Sequence, residues 1–319
     1  MKPTKNPQSS GKNEIKARSA LFFQHHPSYN NTEAYFQSCV DFLNHEYQAI
    51  PEKERIGKGR VFIIRAFVEA FDQFLSEHPS DPLEKTPQEL LDFIDSSYDF
   101  GMSQTEGWGF LFAIHLFARL LRKSPYIFSR LEEKVVVWAD HKNWEIRESA
   151  CEVILEAFRY QPKKMMPLLK TWTESENENL RRAVVESIRP HAQIKWLRNP
   201  EKNDEIIALL TRLRSDPSEY VRKSVGNNFK DLSKYMPEKV LSVFESWVSE
   251  YHIHVCPDLA SKTKKDLGAN TYYIVWVMKF GLRWLHERNP EYHSRIQMIV
   301  GENYVKFFHE KKNFTAKPK

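Results

Sequence analysis

Glycine and cysteine are both scarce in this chain: its 319 residues hold 10 and 3 of them. An all-β sandwich or a glycine-punctuated α/β fold needs more glycine turns than that. Cys39, Cys151 and Cys256 are scattered without paired spacing. That argues against a disulfide framework and a cysteine-based zinc site, and it fits a reducing cytoplasm. Long apolar runs are missing too. The longest, Phe110 to Leu121, is interrupted by His115 and Arg119 and is too short to cross a bilayer. No apolar stretch follows the basic residues near the N-terminus, so a secretory signal is not expected. A glycine-rich phosphate loop is also lacking, because Gly107–Trp108–Gly109 is too short and has no lysine.

What is present is material for a core, 41% hydrophobic with 13% aromatic, inside a mildly basic surface of net charge +5. That charge is compatible with a nucleic-acid partner without demanding one. Residues 1–18 and 311–319 are polar and lysine-rich and read as disordered basic tails. Between them apolar residues recur at helical spacing. Val61, Ile64, Phe67, Val68, Phe71 and Leu75 form one stripe; Leu111, Ile114, Phe117, Ala118 and Leu121 form another.

The second half repeats. Arg147, Pro162 and Trp172 have counterparts 75 residues later in Arg222, Pro237 and Trp247. A middle unit aligns at an offset of 34, pairing Trp138 with Trp172, Asn143 with Asn177, Ile146 with Leu180 and Arg147 with Arg181. Each unit opens a helix on a cap-type residue (Asn143, Asn177 or Ser218), with a core residue three positions on and then an arginine. Two-helix units of ~35–45 residues predict an all-α, right-handed α-solenoid of HEAT-like repeats. Residues 19–134 would be its N-terminal helical part and 135–310 the repeat region. The repeated arginines fit a structural ladder between units, with Asp216 six residues ahead of Arg222.

The residue after each ladder arginine differs: Glu148, Arg182, Lys223. Glu148 shares a stripe with Trp144, Cys151 and Leu155, whereas the matching stripe of the third unit is Glu219, Lys223, Gly226 and Lys230. A carboxylate beside an indole on an apolar stripe suits a cationic ligand; pairing of Glu148 with an arginine such as Arg182 is the structural alternative. His252 and His254 with Cys256 lack a matching second cluster, so no metal is expected. Trp276, Phe280 and Trp284 follow a four-residue rhythm and read as core.

The segments WADHKNWEIRESA (138–150), NENLRRAVVESIRP (177–190), DPSEYVRKSVGNNFKDLSK (216–234) and IVWVMKFGLRWL (274–285) resemble the HEAT-like DNA alkylation repair proteins, the AlkD/AlkC-type DNA glycosylases. The likeness spans roughly Val135 to Leu285 and is closer to the AlkC branch. It implies hydrolysis of the N-glycosidic bond of cationic N-alkylated purines, of the 3-methyladenine or 7-methylguanine type, in double-stranded DNA. By resemblance Glu148 is the catalytic carboxylate and Glu186 a second candidate acid. Trp144 is a wall of the lesion site. Asn227 stands where the AlkD branch has a second tryptophan. Arg182, with Lys223, Arg189 and Lys230, would hold the DNA backbone. No cofactor, metal or membrane is implied, and a cytoplasmic monomer is expected. The rival readings keep the fold: a non-catalytic HEAT-repeat DNA-binding protein, or a protein–protein interaction scaffold.

Overall fold

The structure, a computed structural model, describes residues 7–25, 32–55, 59–78, 92, 95, 99, 107–190, 194–253, 262–301 and 308. Among the described residues the regular elements are α-helices and short 3-10 turns, with no strand. The all-α expectation holds. The chain divides into two compact units, residues 1–165 and 166–319.

The first unit contains α1 (Pro7–His25), α2 (Thr32–Ala49), α3 (Glu52–Arg55), α4 (Arg60–Glu77), α5 (Trp108–Lys123), α6 (Phe128–Ala139) and α7 (Trp144–Tyr160). Its core is a phenylalanine cluster. Phe67 lies 4.8 Å from Phe23 and 5.3 Å from Phe112, the latter edge-on, and Phe36 meets Phe112 at 5.6 Å. Tilted and edge-on rings favour such packing beyond the area they bury. The apolar run Phe110 to Leu121 is explained here: α5 packs against α2, α4 and α7, so it is buried almost all round rather than on one stripe.

The basic N-terminal arm needs correction. From Pro7 the chain is helical, and Ile15, Ser19 and Phe23, spaced by four residues, are buried where α1 packs on α4. Lys12 pairs with Glu69 at 2.6 Å and Arg18 with Glu46 at 2.6 Å. Lys12 and Lys16 are half-buried and Arg18 is exposed beside that buried stripe; Lys2 and Lys5 lie outside the described residues. The tail at 311–319 lies outside the described residues.

α8 (Pro162–Trp172) carries the chain into the second unit, which continues with α9 (Glu178–Ser187), α10 (Asp204–Arg212), α11 (Glu219–Leu232), α12 (Pro237–Glu250), α13 (Lys264–Leu267), α14 (Ala269–Arg288) and α15 (His293–Val300). Phe229, Phe244 and Trp247 form a buried triad with centroids 5.1–5.2 Å apart. α11 and α14 cross closely because glycine lines the contact on both sides. A Cβ on Gly226 would lie 2.5 Å from the Phe280 Cβ, and one on Gly281 would lie 3.0 Å from the Phe229 Cβ. Gly226, read from sequence as part of a polar stripe, therefore faces α14. Trp276 and Phe280 are buried as expected, whereas Trp284 is only half-buried, with the Lys234 Nζ 4.8 Å over its ring.

The helix entrances before α7, α9 and α11 are built alike. Arg147, Arg181 and Arg222 each donate from Nη1 to the carbonyls six and five residues back, at 2.6–3.0 Å. Asn143 accepts from the Glu145 N–H at 2.9 Å and Asn177 from the Asn179 N–H at 2.8 Å, as true N-caps. Ser218 makes no side-chain cap bond; its N–H donates to Asp216 at 2.8 Å, as the Asn143 and Asn177 N–H groups donate to His141 and Ser175. Asp216 also takes Arg181 in a fork of 2.7 and 2.9 Å, joining one repeat to the next.

His115 is buried in α5, its Nε2 3.1 Å from the Ser149 Oγ. Burial, with the positive Arg65 nearby, lowers its pKa to about 3. The unfolded value is about 6.5, so between pH 6.5 and 3 the unfolded chain binds the proton that the folded chain refuses, and stability falls as pH falls. Urea titrations at pH 7 and pH 5 should show a loss of stability smaller in His115→Gln than in the unaltered protein, by about 2 kcal/mol.

Candidate functional site

In the first unit the candidate residues sit on one helix. Trp144 is the first residue of α7 and is 56% exposed, a large apolar surface in water. Glu148 follows one turn later and is half-buried. Further along the same stripe Cys151 and Leu155 are buried. The Cys151 thiol donates to the Arg147 carbonyl at 3.2 Å and fills core space. The stripe thus runs from solvent to interior, with the carboxylate at the transition.

Sequence reasoning missed the other carboxylates of α7. Glu145, Glu152 and Glu156 recur at spacings of seven and four on one face. Each is met by an arginine from another helix. Arg60 donates to Glu145 from Nε at 2.8 Å and also from Nη2. Arg65 pairs with Glu152. Arg122 donates to Glu156 at 2.6 Å, and Arg159 stands 3.1 Å from it. Burial pushes the Glu156 carboxyl up, and the two guanidinium groups only partly offset that. The signal available in sequence was the seven-residue recurrence of glutamate in a helix otherwise rich in core residues; the partners gave none.

The second unit assembles the remaining candidates around Glu186, near the end of α9. Ser224 donates to its Oε1 at 2.7 Å and Arg189 to its Oε2 at 3.0 Å. The Arg182 Nη2 lies 3.8 Å from Oε1, and its guanidinium covers the Tyr220 ring at 4.8 Å. Burial pushes the Glu186 carboxyl up; Arg189, Arg182 and the Ser224 hydroxyl outweigh it and hold the group below the usual carboxylate range. Glu186 is therefore an ionised, already engaged group. Arg189 also grips Asp231 at 2.6 Å, and Lys234 donates to Asp231 at 2.8 Å.

Lys230 donates to the Asn227 Oδ1 at 3.4 Å. Its pKa is lowered, first by burial and then by Arg283, Arg189 and Lys234, against the opposing pull of Asp231. Here Arg182, Arg189, Lys230, Lys234 and Arg283 outnumber Glu186 and Asp231. Lys223 is exposed, whereas Arg182 is buried. The structure thus brings Arg182, Glu186, Arg189, Asn227 and Lys230 together in unit two and adds Ser224, Asp231, Lys234 and Arg283, which pattern reading did not select. Among the described residues no group of three His, Cys, Asp or Glu is arranged to hold a metal; His254 and Cys256 lie outside them. Among the described residues no helix is long and apolar enough to cross a membrane.

A solvent-facing indole with a carboxylate one turn away is a pairing chemically suited to a cationic group. The DNA alkylation repair enzyme family matches residues 85–259, more than half of the chain, and the protein belongs to that family. The family's role is DNA repair. A curated relative, the uncharacterized protein YhaZ of Bacillus subtilis (strain 168), is 37% identical over 89 residues, 27% of this chain and 24% of that one. The match thus spans about a quarter of that relative. Similar solved structures include AlkD2 from Streptococcus mutans (22% identity, TM-score 0.48, covering 78% of this chain and 98% of that one). A second is smu.31 from Streptococcus mutans UA159 (23%, 0.43, 69% and 96%). A third is the Pseudomonas fluorescens alkylpurine DNA glycosylase AlkC bound to DNA containing an abasic site analog (20%, 0.48, 86% and 69%).

Asp231 has a 3% exposed side chain and serves both Arg189 and Lys234. Asp231→Asn should take the carboxylate from Lys234 and leave Arg189 with Glu186 alone, beside Lys230, and destabilise the protein by about 2–3 kcal/mol, read as a lower urea midpoint with an unchanged slope.

Proposed function

We propose that this protein is a DNA glycosylase that hydrolyses the N-glycosidic bond of cationic N-alkylated purines in double-stranded DNA, with 3-methyladenine and 7-methylguanine as the substrate type. The carrying observation is Trp144, exposed, with Glu148 half-buried one turn away on the same stripe of α7.

A purine alkylated on a ring nitrogen is positively charged and leaves readily. As its bond to C1′ lengthens, positive charge grows on the sugar. The Glu148 carboxylate stabilises that charge and orients a water whose oxygen attacks C1′; the water's proton passes to the carboxylate, and the base departs neutral. Oxocarbenium-like states in sugar hydrolysis are met by the same means. The Trp144 ring offers its electron-rich face to the cationic base, a preference on the order of 0.5–2 kcal/mol over the neutral base.

Lys223 and Lys230 meet phosphates and supply the salt-dependent attraction, and Arg189 and Arg182 add positive charge behind them. Glu186 acts there by holding Arg182 and Arg189 in place, and Asn227, which accepts from Lys230, contributes to substrate binding. Hydrolysis needs only water, so no cofactor enters, and a monomer in the reducing cytoplasm suffices for the reaction.

Glu148→Gln keeps the shape and removes the charge. It should lower the release of free methylated base from methylated duplex DNA by about 100-fold or more while DNA affinity stays within about two-fold. Full base release by the variant would show that the carboxylate is not the catalytic group.

A further inference from the structure

Helices α1 to α4 precede the residues that the family matches, yet α4 supplies two of the arginines that reach α7. We propose that Arg60 is a positioning residue for base excision: closed on Glu145, it sets the first turn of α7, from which Trp144 and Glu148 project. This rests on the glycosylase reading above and extends the working site into a part of the chain outside the family match.

Glu145 follows Trp144 and precedes Glu148 by three residues, so any shift of its backbone moves both. It is held from two directions. The Asn143 side chain takes its N–H at 2.9 Å, and Arg60 takes its carboxylate from Nε and Nη2. The carboxylate also stands at the start of α4. A Cβ on Gly59 would lie 4.0 Å from the Glu145 Oε1, and the first turn of α4 has neither an acidic residue of its own nor a side-chain cap. The positive end of the helix and the guanidinium therefore act on the same group. Arg60 is itself braced, its Cζ 5.7 Å over the Trp108 ring.

Glu145 is only 8% exposed. Without Arg60 its charge loses its nearest counter-ion in a buried setting, and the cheapest response is for the first turn of α7 to move until water reaches the carboxylate. Rate is sensitive to such a movement because the reacting groups must hold their geometry to within an ångström. Affinity for DNA, set by phosphate contacts, is far less sensitive.

The test compares single-turnover base release and DNA affinity in the unaltered protein and in Arg60→Met, Arg60→Lys, Glu145→Gln and Arg18→Met. Arg18 makes a comparable fork to Glu46 between α1 and α2, with bonds of 2.9 and 2.6 Å, and controls for lost stability alone. The expected result is a rate about ten-fold or more lower in Arg60→Met, near-normal affinity, partial recovery in Arg60→Lys, and an unchanged rate in folded Arg18→Met. Glu145→Gln, which keeps the side chain's volume, should show the same loss of rate and decides the matter where Arg60→Met does not fold. A full rate in Arg60→Met or Glu145→Gln, or an equal loss in Arg18→Met, overturns the positioning role. Absence of base release by the unaltered protein overturns the glycosylase reading itself, a different and separately visible failure.

Discussion

Carboxylates inside a helical protein must be matched by cations, and here the match is made by arginines arriving from other helices. Glu145, Glu152 and Glu156 are met from α4 and α5, Glu46 from α1, Asp216 from the preceding repeat and Asp231 from the end of α9. Apolar packing alone lets helices slide along one another with little penalty. A forked guanidinium–carboxylate pair does not, because its bonds are directional and a broken pair leaves a buried charge. These pairs set the register of the helices while the phenylalanine cluster and the Phe229–Phe244–Trp247 triad supply the bulk of the burial.

That division of labour is clearest on α7. Its acidic stripe is taken up by structural pairing, and the adjoining stripe begins with an indole in water and a carboxylate at the edge of burial. The cationic cluster of the second unit shows the complementary case. Glu186 and Asp231 are surrounded by more positive charge than they cancel, so the arginines and lysines are held firmly and yet the local field stays positive.

Much of this was legible in the sequence, and the limits have physical causes. The offsets of 34 and 75 announced the repeats because the same turn, with its carbonyl-gripping arginine, is built three times. Asn143 and Asn177 cap as their type suggests. Ser218 does not, although its own N–H goes to Asp216 just as those of Asn143 and Asn177 go to His141 and Ser175. The N-terminal arm looked disordered because its lysines outnumber its apolar residues, but four-residue spacing of Ile15, Ser19 and Phe23 was enough to seat a helix on α4. The partners of the α7 glutamates were invisible: Arg60 is 85 residues from Glu145, and nothing local encodes that meeting. Glu186 with Arg189 was visible as a three-residue spacing; Ser224 and Asp231, from α11, were not. Gly226 looked like a gap in a polar stripe until the ring of Phe280 gave it a reason.

The central claim is that this protein detaches alkylated purines from the sugar. A duplex oligonucleotide carrying one 7-methylguanine, end-labelled and incubated with excess protein, tests it most directly. Alkaline treatment after mild incubation should cut the strand at the modified position, because excision leaves an abasic sugar there. A strand that remains uncut above the protein-free background, while the protein demonstrably binds the duplex, would contradict the account.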